Sequence, residues 1–192
     1  KLVLVGDIDQ LPSVGPGNVL KDIIESEKIT TITLNKIFRQ AAKSKIIVNS
    51  HRVNDGLGFI GKNDEEYTDM EDDFFFIEEM SKDKVLYNII SLSGERLKNY
   101  GNYDFFKNIQ VITPTKKGEL GTKELNKKLQ QAINPPSDFK KERKFGDSIF
   151  REGDRIMQIK NDYDIYWEKK EPYLEYGSGV FNGEFGTIAS ID

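Results

Sequence analysis

Apolar and polar positions along the chain follow two regimes. Up to about residue 145, short apolar runs of strand length alternate with stretches of helical period, and beyond it the helical period gives way to recurring strand-like runs. In the first regime Leu2 to Val5 is an all-apolar run ending in Gly6-Asp7, the pattern of a strand buried on both faces of a parallel sheet. After Gly15-Pro16-Gly17, residues 18–24 place Val19, Leu20, Ile23 and Ile24 on one helical face. Ile29 to Leu34 alternates Thr with apolar residues as a strand does, and Ser44 to Asn54 reads as a helix ended by Asp55-Gly56. The acidic stretch 61–73 predicts an exposed loop before a short strand at Phe74 to Ile77. Ser81 is placed to cap a helix carrying Val85, Leu86, Ile89 and Ile90, continuing past an interruption near Gly94 to about Asn99. Ile109 to Thr113 is the next buried strand. The following helix carries Leu125, Leu129, Ala132 and Ile133 in register and is stopped by Pro135-Pro136.

In the second regime strands are expected at Ile149-Phe150, Arg155 to Ile159, Gly179 to Phe181 and Phe185 to Ile191, forming a small all-β unit. Asn182-Gly183 between the last two predicts a tight hairpin with a type I′ turn, in which both central residues take positive φ. The aromatic and polar stretch 161–178 reads as a long loop or an extended hairpin. No internal repeat is present. Strand and helix in alternation mean an α/β layer with parallel strands, followed by the β unit.

With 192 residues, 37% of them hydrophobic, the chain can bury a core, which excludes a fully disordered protein. No apolar run approaches the roughly 18 residues of a membrane helix, and the first residues do not form a secretory signal. The chain therefore reads as soluble and cytoplasmic, with no membrane partner. Cysteine is absent and His51 is the only histidine, which argues against disulfides, thiolate zinc sites, thiol nucleophiles and Ser/His triads. The net charge of −4 argues weakly against nucleic acid, but the charge is unevenly spread. Residues 61–80 hold nine acids against Lys62 alone, whereas residues 107–145 hold ten bases against four acids. Each run is a solvated face or a binding surface, and charge does not choose between them.

The segment LVLVGDIDQLPSVGPGNVL (2–20) delivers Gly6, Asp7 and Gln10 to the carboxyl end of a buried strand, the edge at which open α/β sheets bind ligands. Gln10 carries both a donor and an acceptor, so it suits simultaneous contact with a terminal phosphate and an attacking water, or it is an ordinary polar loop residue. Asp7 either organises magnesium or its waters, or braces the turn through an Asx hydrogen bond. His51 reads as a helix-surface or packing residue.

The run GDIDQLPSVGPGN resembles motif III of superfamily 1 DNA helicases in their RecD-like branch, the family of the exodeoxyribonuclease V α subunit. The resemblance continues in family order. LNKIFRQ (34–40) is similar to motif IV, SKIIVNSHRVNDG (44–56) to the helix after it, and QVITPTKKGELGTKELNKKLQ (110–130) to a strand, loop and helix of the second RecA-like domain. GDRIMQIKNDYD (153–164) and GVFNGEFGTI (179–188) resemble the small β-barrel inserted in that domain. The match is weakest at 57–108 and 165–178.

The resemblance implies that Gln10 contacts the γ-phosphate and couples hydrolysis to DNA. It implies that Arg39 reaches the nucleotide from the second domain, a role that suits a planar, permanently charged guanidinium. It further implies single-stranded DNA contacts at Ser13, Val14 and Gly15, where glycine lets the backbone approach closely. Thr113, Thr115, Lys116 and Lys117 sit before a helix, either to hold DNA phosphates or as a solvated turn. In the barrel, Lys160, Asn161 and Tyr163 are candidate DNA contacts. Trp167 either stacks a base or, the simpler reading, joins the aromatics that cover the barrel.

No GxxxxGK[ST] phosphate loop occurs, no acidic pair follows a buried strand, and the family's closing motifs V and VI are missing. The expectation is therefore an internal piece of a longer helicase. Residues 1–26 are expected to end a first RecA-like domain, 27–148 to form the second, and 149–192 to form part of the inserted barrel. The parent is expected to use ATP and magnesium, to act on single-stranded and duplex DNA in recombination and repair, and to meet other exodeoxyribonuclease V subunits. The piece alone is expected to hold no tightly bound cofactor and to hydrolyse no ATP. The competing class is a non-catalytic DNA-binding or subunit-docking module derived from a helicase.

Overall fold

The computed structural model describes residues 2–11, 15–34, 43–61 and 69–192. They divide into two compact units, Lys1–Glu78 and Glu79–Asp192. Among the described residues, no helix is long and apolar enough to cross a membrane.

The first unit holds α1 (Val19–Glu25) and α2 (Lys45–Asn54). The start of α2 is capped twice. Ser44 has extended backbone and its Oγ accepts from the Ile47 N–H, while Asp73 accepts from the Ser44 hydroxyl at 2.6 Å and from the Ile46 N–H at 3.3 Å. Partial burial pushes the Asp73 carboxyl up, but the hydrogen bonds from Ser44, Ile46 and Lys45 outweigh it and hold it below the ordinary carboxylate range. The helix ends at Asp55-Gly56 as expected, with Gly56 at φ +74°. On its inner face Asn49, 3% exposed, clasps the backbone of Ile60, 1% exposed: its Nδ2 donates to the Ile60 carbonyl and its Oδ1 accepts from the Ile60 N–H. Phe59 then packs on Phe76 and Phe74, with ring centroids 4.4 and 5.7 Å away.

In the second unit α3 (Lys82–Ser91) runs into a π-helical segment (Leu92–Arg96) and on into α4 (Leu97–Gly101), so the interruption expected near Gly94 is a widened turn within one continuous helical stretch. Ser81 stands at the start of α3 with extended backbone, yet its side chain makes no capping bond; its N–H donates instead to Glu79. Asn102, in the left-handed region, ends α4. After α5 (Thr122–Ile133) come β1 (Glu142–Phe145), β2 (Ser148–Arg151), β3 (Arg155–Met157), β4 (Asp162–Lys169), β5 (Glu175–Val180) and β6 (Phe185–Thr187). The buried apolar residues of this unit are Ile109, Leu125 and Leu129.

Several expectations are corrected. The runs at 2–5, 29–34, 74–77 and 109–113 form no ladder, and among the described residues the parallel sheet reduces to one isolated bridge, Ser44 to Glu71. Apolar alternation prepares a strand, but a strand also needs a neighbour that completes its hydrogen bonds, and Leu2 and Val5 are 84% and 93% exposed. Residues 142–192 form three separate two-stranded antiparallel sheets, β1-β2, β3-β6 and β4-β5, which do not close into a barrel. The stretch 161–178 is an extended hairpin, as one of the two readings had it. Asn182-Gly183 does not join partners in one ladder, because β5 pairs with β4 and β6 with β3. Gly183 alone takes positive φ there, at +94°, so the turn is not type I′.

Candidate functional site

The candidate phosphate-sensing turn follows the exposed run Leu2 to Val5. A Cβ on Gly6 would come within 2.6 Å of the Leu20 side chain, so the small residue lets the chain lie close to α1 before it turns. Asp7 then organises the turn. Its Oδ1 accepts from the Asp9 N–H at 3.0 Å, the Asx bond that was one of two roles open to it, and its Oδ2 accepts from Gln10 Nε2 at 3.0 Å. Asp7 and Gln10 are thus brought together, both exposed, beside a groove lined in part by Ile8, Asn18 and Ile23. Gly15 is exposed in the loop that follows, with φ +149°. Ser13, Val14 and Arg39 lie outside the described residues. His51 is on the exposed side of α2.

In the loop before α5 the hydroxyls are turned inward. The Thr113 hydroxyl donates to the Leu120 carbonyl at 2.7 Å and the Thr115 hydroxyl to the Lys117 carbonyl at 3.2 Å, so both protons hold the loop on itself. The Thr122 N–H donates to the Thr115 carbonyl, Gly118 takes φ +91°, and Gly121 has the Lys117 carbonyl oxygen 2.5 Å from where a Cβ would stand. Lys116 and Lys117 remain exposed on this loop and are its groups suited to phosphate. Farther along, Asn161 Oδ1 accepts from the Asn182 N–H at 2.9 Å and so ties the 182–183 turn to the start of β4, while Lys160 is exposed. Trp167 lies across the backbone of β5: its Nε1 donates to the Gly179 carbonyl, and a Cβ on Gly177 would fall 2.2 Å from its ring. Tyr163 meets Phe181 edge-on at 5.7 Å.

Sequence reasoning missed the joint between α5 and the β1-β2 hairpin. Arg151, 5% exposed, donates to Glu142 and to the Asn134 carbonyl. Asn134 donates to Asp154 and to the Glu152 carbonyl, and Gln130 donates to the same Asp154. These partners lie 17 to 24 residues apart for the contacts that reach from helix to hairpin, and the one local signal was an asparagine directly before Pro135-Pro136. A second clamp is Arg155, whose guanidinium donates to the Ile109 carbonyl at 2.7 Å and covers the Phe185 ring at 4.2 Å. Glu152 accepts from the backbone N–H groups of Ile191 and Lys141, which hold its carboxyl below the ordinary range.

A family model for an AAA domain matches residues 1–68, and one for the SH3 domain of ATP-dependent RecD-like DNA helicases matches residues 125–192. Along the chain an AAA-type part thus precedes an SH3-type part, an order compatible with an α/β protein. Over 100% of its length the chain is 30% identical to the ATP-dependent RecD2 DNA helicase of Deinococcus radiodurans, covering 22% of that protein. It is also 26% identical, over 96% of its length, to an uncharacterized protein of Methanocaldococcus jannaschii, of which it covers 19%. The chain is thus similar to RecD-like DNA helicases, and it spans about a fifth of the length of these two relatives.

Proposed function

We propose that this chain is the middle part of an ATP-dependent DNA helicase that couples ATP hydrolysis to movement along one strand and separation of the duplex, in recombination and repair. The observation that carries the reading is the likeness to a RecD2 helicase over the whole chain. The exposed apolar runs at 2–5, 29–34 and 109–113 support it, since Leu2, Val5, Ile32 and Ile112 have the exposure of sheet residues whose neighbouring strands come from elsewhere. In this reading residues 1–26 end a first RecA-like domain, 27–148 belong to the second, and 149–192 belong to an SH3-type β unit inserted in it.

Gln10 is the group that meets the terminal phosphate and the attacking water, and Arg39 supplies positive charge from across the cleft. Ser13, Val14 and Gly15 meet single-stranded DNA, Lys116, Lys117 and Lys160 hold its phosphates, and the hydroxyls of Thr113 and Thr115 with the amide of Asn161 shape the loops that carry those lysines. Other exodeoxyribonuclease V subunits are candidate partners. ATP supplies the phosphoryl group whose transfer to water drives the cycle. The turn fits contact with that phosphate through Gln10. Each Asp7 oxygen accepts one N–H of the turn, so the carboxylate braces the turn, and its remaining lone pairs are what it would offer to magnesium or its waters. Among the described residues no group of three or more His, Asp or Glu side chains is placed to hold a metal.

The test is ATP turnover by the complete gene product, with and without single-stranded DNA. Arg39→Ala should lower kcat by about a hundredfold or more while leaving single-stranded DNA affinity within about twofold. Equal loss of turnover and DNA binding would count against the reading. The 192-residue chain alone should bind single-stranded DNA with an affinity that falls as salt rises, and should turn over no ATP above background.

A further inference from the structure

The geometry points to Asp7 as the positioning residue that decides which way round the Gln10 amide faces, an inference that rests on the phosphate-sensing reading of Gln10. A glutamine amide has two ends of opposite character, and in an exposed turn it flips between them freely. Here only the nitrogen end can meet Asp7, because a carboxylate accepts and never donates at neutral pH, and the Nε2 to Oδ2 distance is 3.0 Å. The carbonyl Oε1 is then directed away from Asp7, together with the second N–H of Nε2. An outward carbonyl accepts a hydrogen bond from water and repels phosphate oxygens, while the remaining N–H suits a phosphate oxygen. The turn therefore presents Gln10 in the orientation that a water held against a terminal phosphate requires. The other Asp7 oxygen is occupied by the Asp9 N–H, which fixes the carboxylate in its plane. In this role Asp7 acts through Gln10 and does not itself meet the attacking water or the nucleotide.

The substitution that separates this role from bracing is Asp7→Asn. Asparagine keeps an oxygen for the Asp9 N–H, so the Asx turn survives. Its other end is an NH₂, which donates, so it draws Oε1 of Gln10 inward and reverses the amide. In the complete gene product Asp7→Asn should lower kcat for ATP by roughly 10- to 100-fold, with KM within about twofold and the thermal midpoint unchanged. Gln10→Ala should lower kcat comparably, and the Asp7→Asn/Gln10→Ala double variant should be no slower than Gln10→Ala alone. Wild-type turnover in Asp7→Asn, with loss only in Asp7→Ala, would reduce Asp7 to a brace and overturn the inference. Additive losses in the double variant, or recovery of Asp7→Asn at raised magnesium, would make Asp7 an independent ligand and also overturn it. Full turnover in Gln10→Ala would instead remove the phosphate-sensing reading itself, and the inference with it.

Discussion

The turn at Asp7 and the joint at Arg151 are both polar, and they are held in opposite ways. Asp7 binds partners two and three residues away, in water, where each hydrogen bond replaces one to solvent and contributes little to stability. Arg151 is buried and reaches Asn134 17 residues back, so its charge is sustained only while helix and hairpin stay docked. The first arrangement orients one amide at small energetic cost. The second makes two elements move as one piece.

Removing the buried cation should have the largest effect. Arg151→Ala leaves Glu142 and the Asn134 carbonyl without their donor and should destabilise the Glu79–Asp192 unit by about 4 kcal/mol, read from urea unfolding and from faster amide exchange in the last turn of α5. Asn49→Ala asks whether a buried neutral clasp matches a buried charged one. It strips two hydrogen bonds from Ile60 and should cost about 2 kcal/mol, measured the same way in the first unit.

The acid side of the stability profile should be shallower than either. Asp73 and Glu152 have carboxyls depressed in the folded chain, so each contributes stability that is present above its unfolded pKa and lost as pH falls through its folded value. Melting temperatures below about pH 4.5 should therefore fall less steeply for Asp73→Asn and Glu152→Gln than for the parent chain. Smallest of all, Asp7→Ala should change stability by under about 0.5 kcal/mol, by thermal melting. A large loss there would show the turn to be structural and erase the contrast with Arg151.

The helices were legible along the chain because their signals are local. The stop at Asp55-Gly56, the interruption near Gly94 and the Pro135-Pro136 terminator each depend on residues within about a turn of one another. The strands divided by the same criterion. The pair β4-β5 completes itself across a short turn, and β1, which was not expected, pairs likewise with β2, whereas the runs at 2–5, 29–34 and 109–113 need partners that no adjacent residue can provide. The site was legible in part. Gly6, Asp7 and Gln10 stand in a pattern whose chemistry follows from residue type, but that Asp7 accepts from both the Asp9 N–H and Gln10 Nε2 is visible only in the folded chain.

By itself the sequence determined the helical elements, the change of pattern near residue 145, the lopsided charge and the run GDIDQLPSVGPGN that resembles motif III of the RecD-like helicases. The tertiary structure alone decided that Arg151 locks α5 to its hairpin, that the Thr113 and Thr115 hydroxyls are spent inside their loop, that Asn182-Gly183 links two sheets, and that Asp7 holds the Gln10 amide. The reason is physical. A helix, a cap or a tight turn is settled by neighbours along the chain, while the partner of a buried charge, of a strand edge or of a side-chain donor is settled by which distant groups the folded chain brings within about 3 Å.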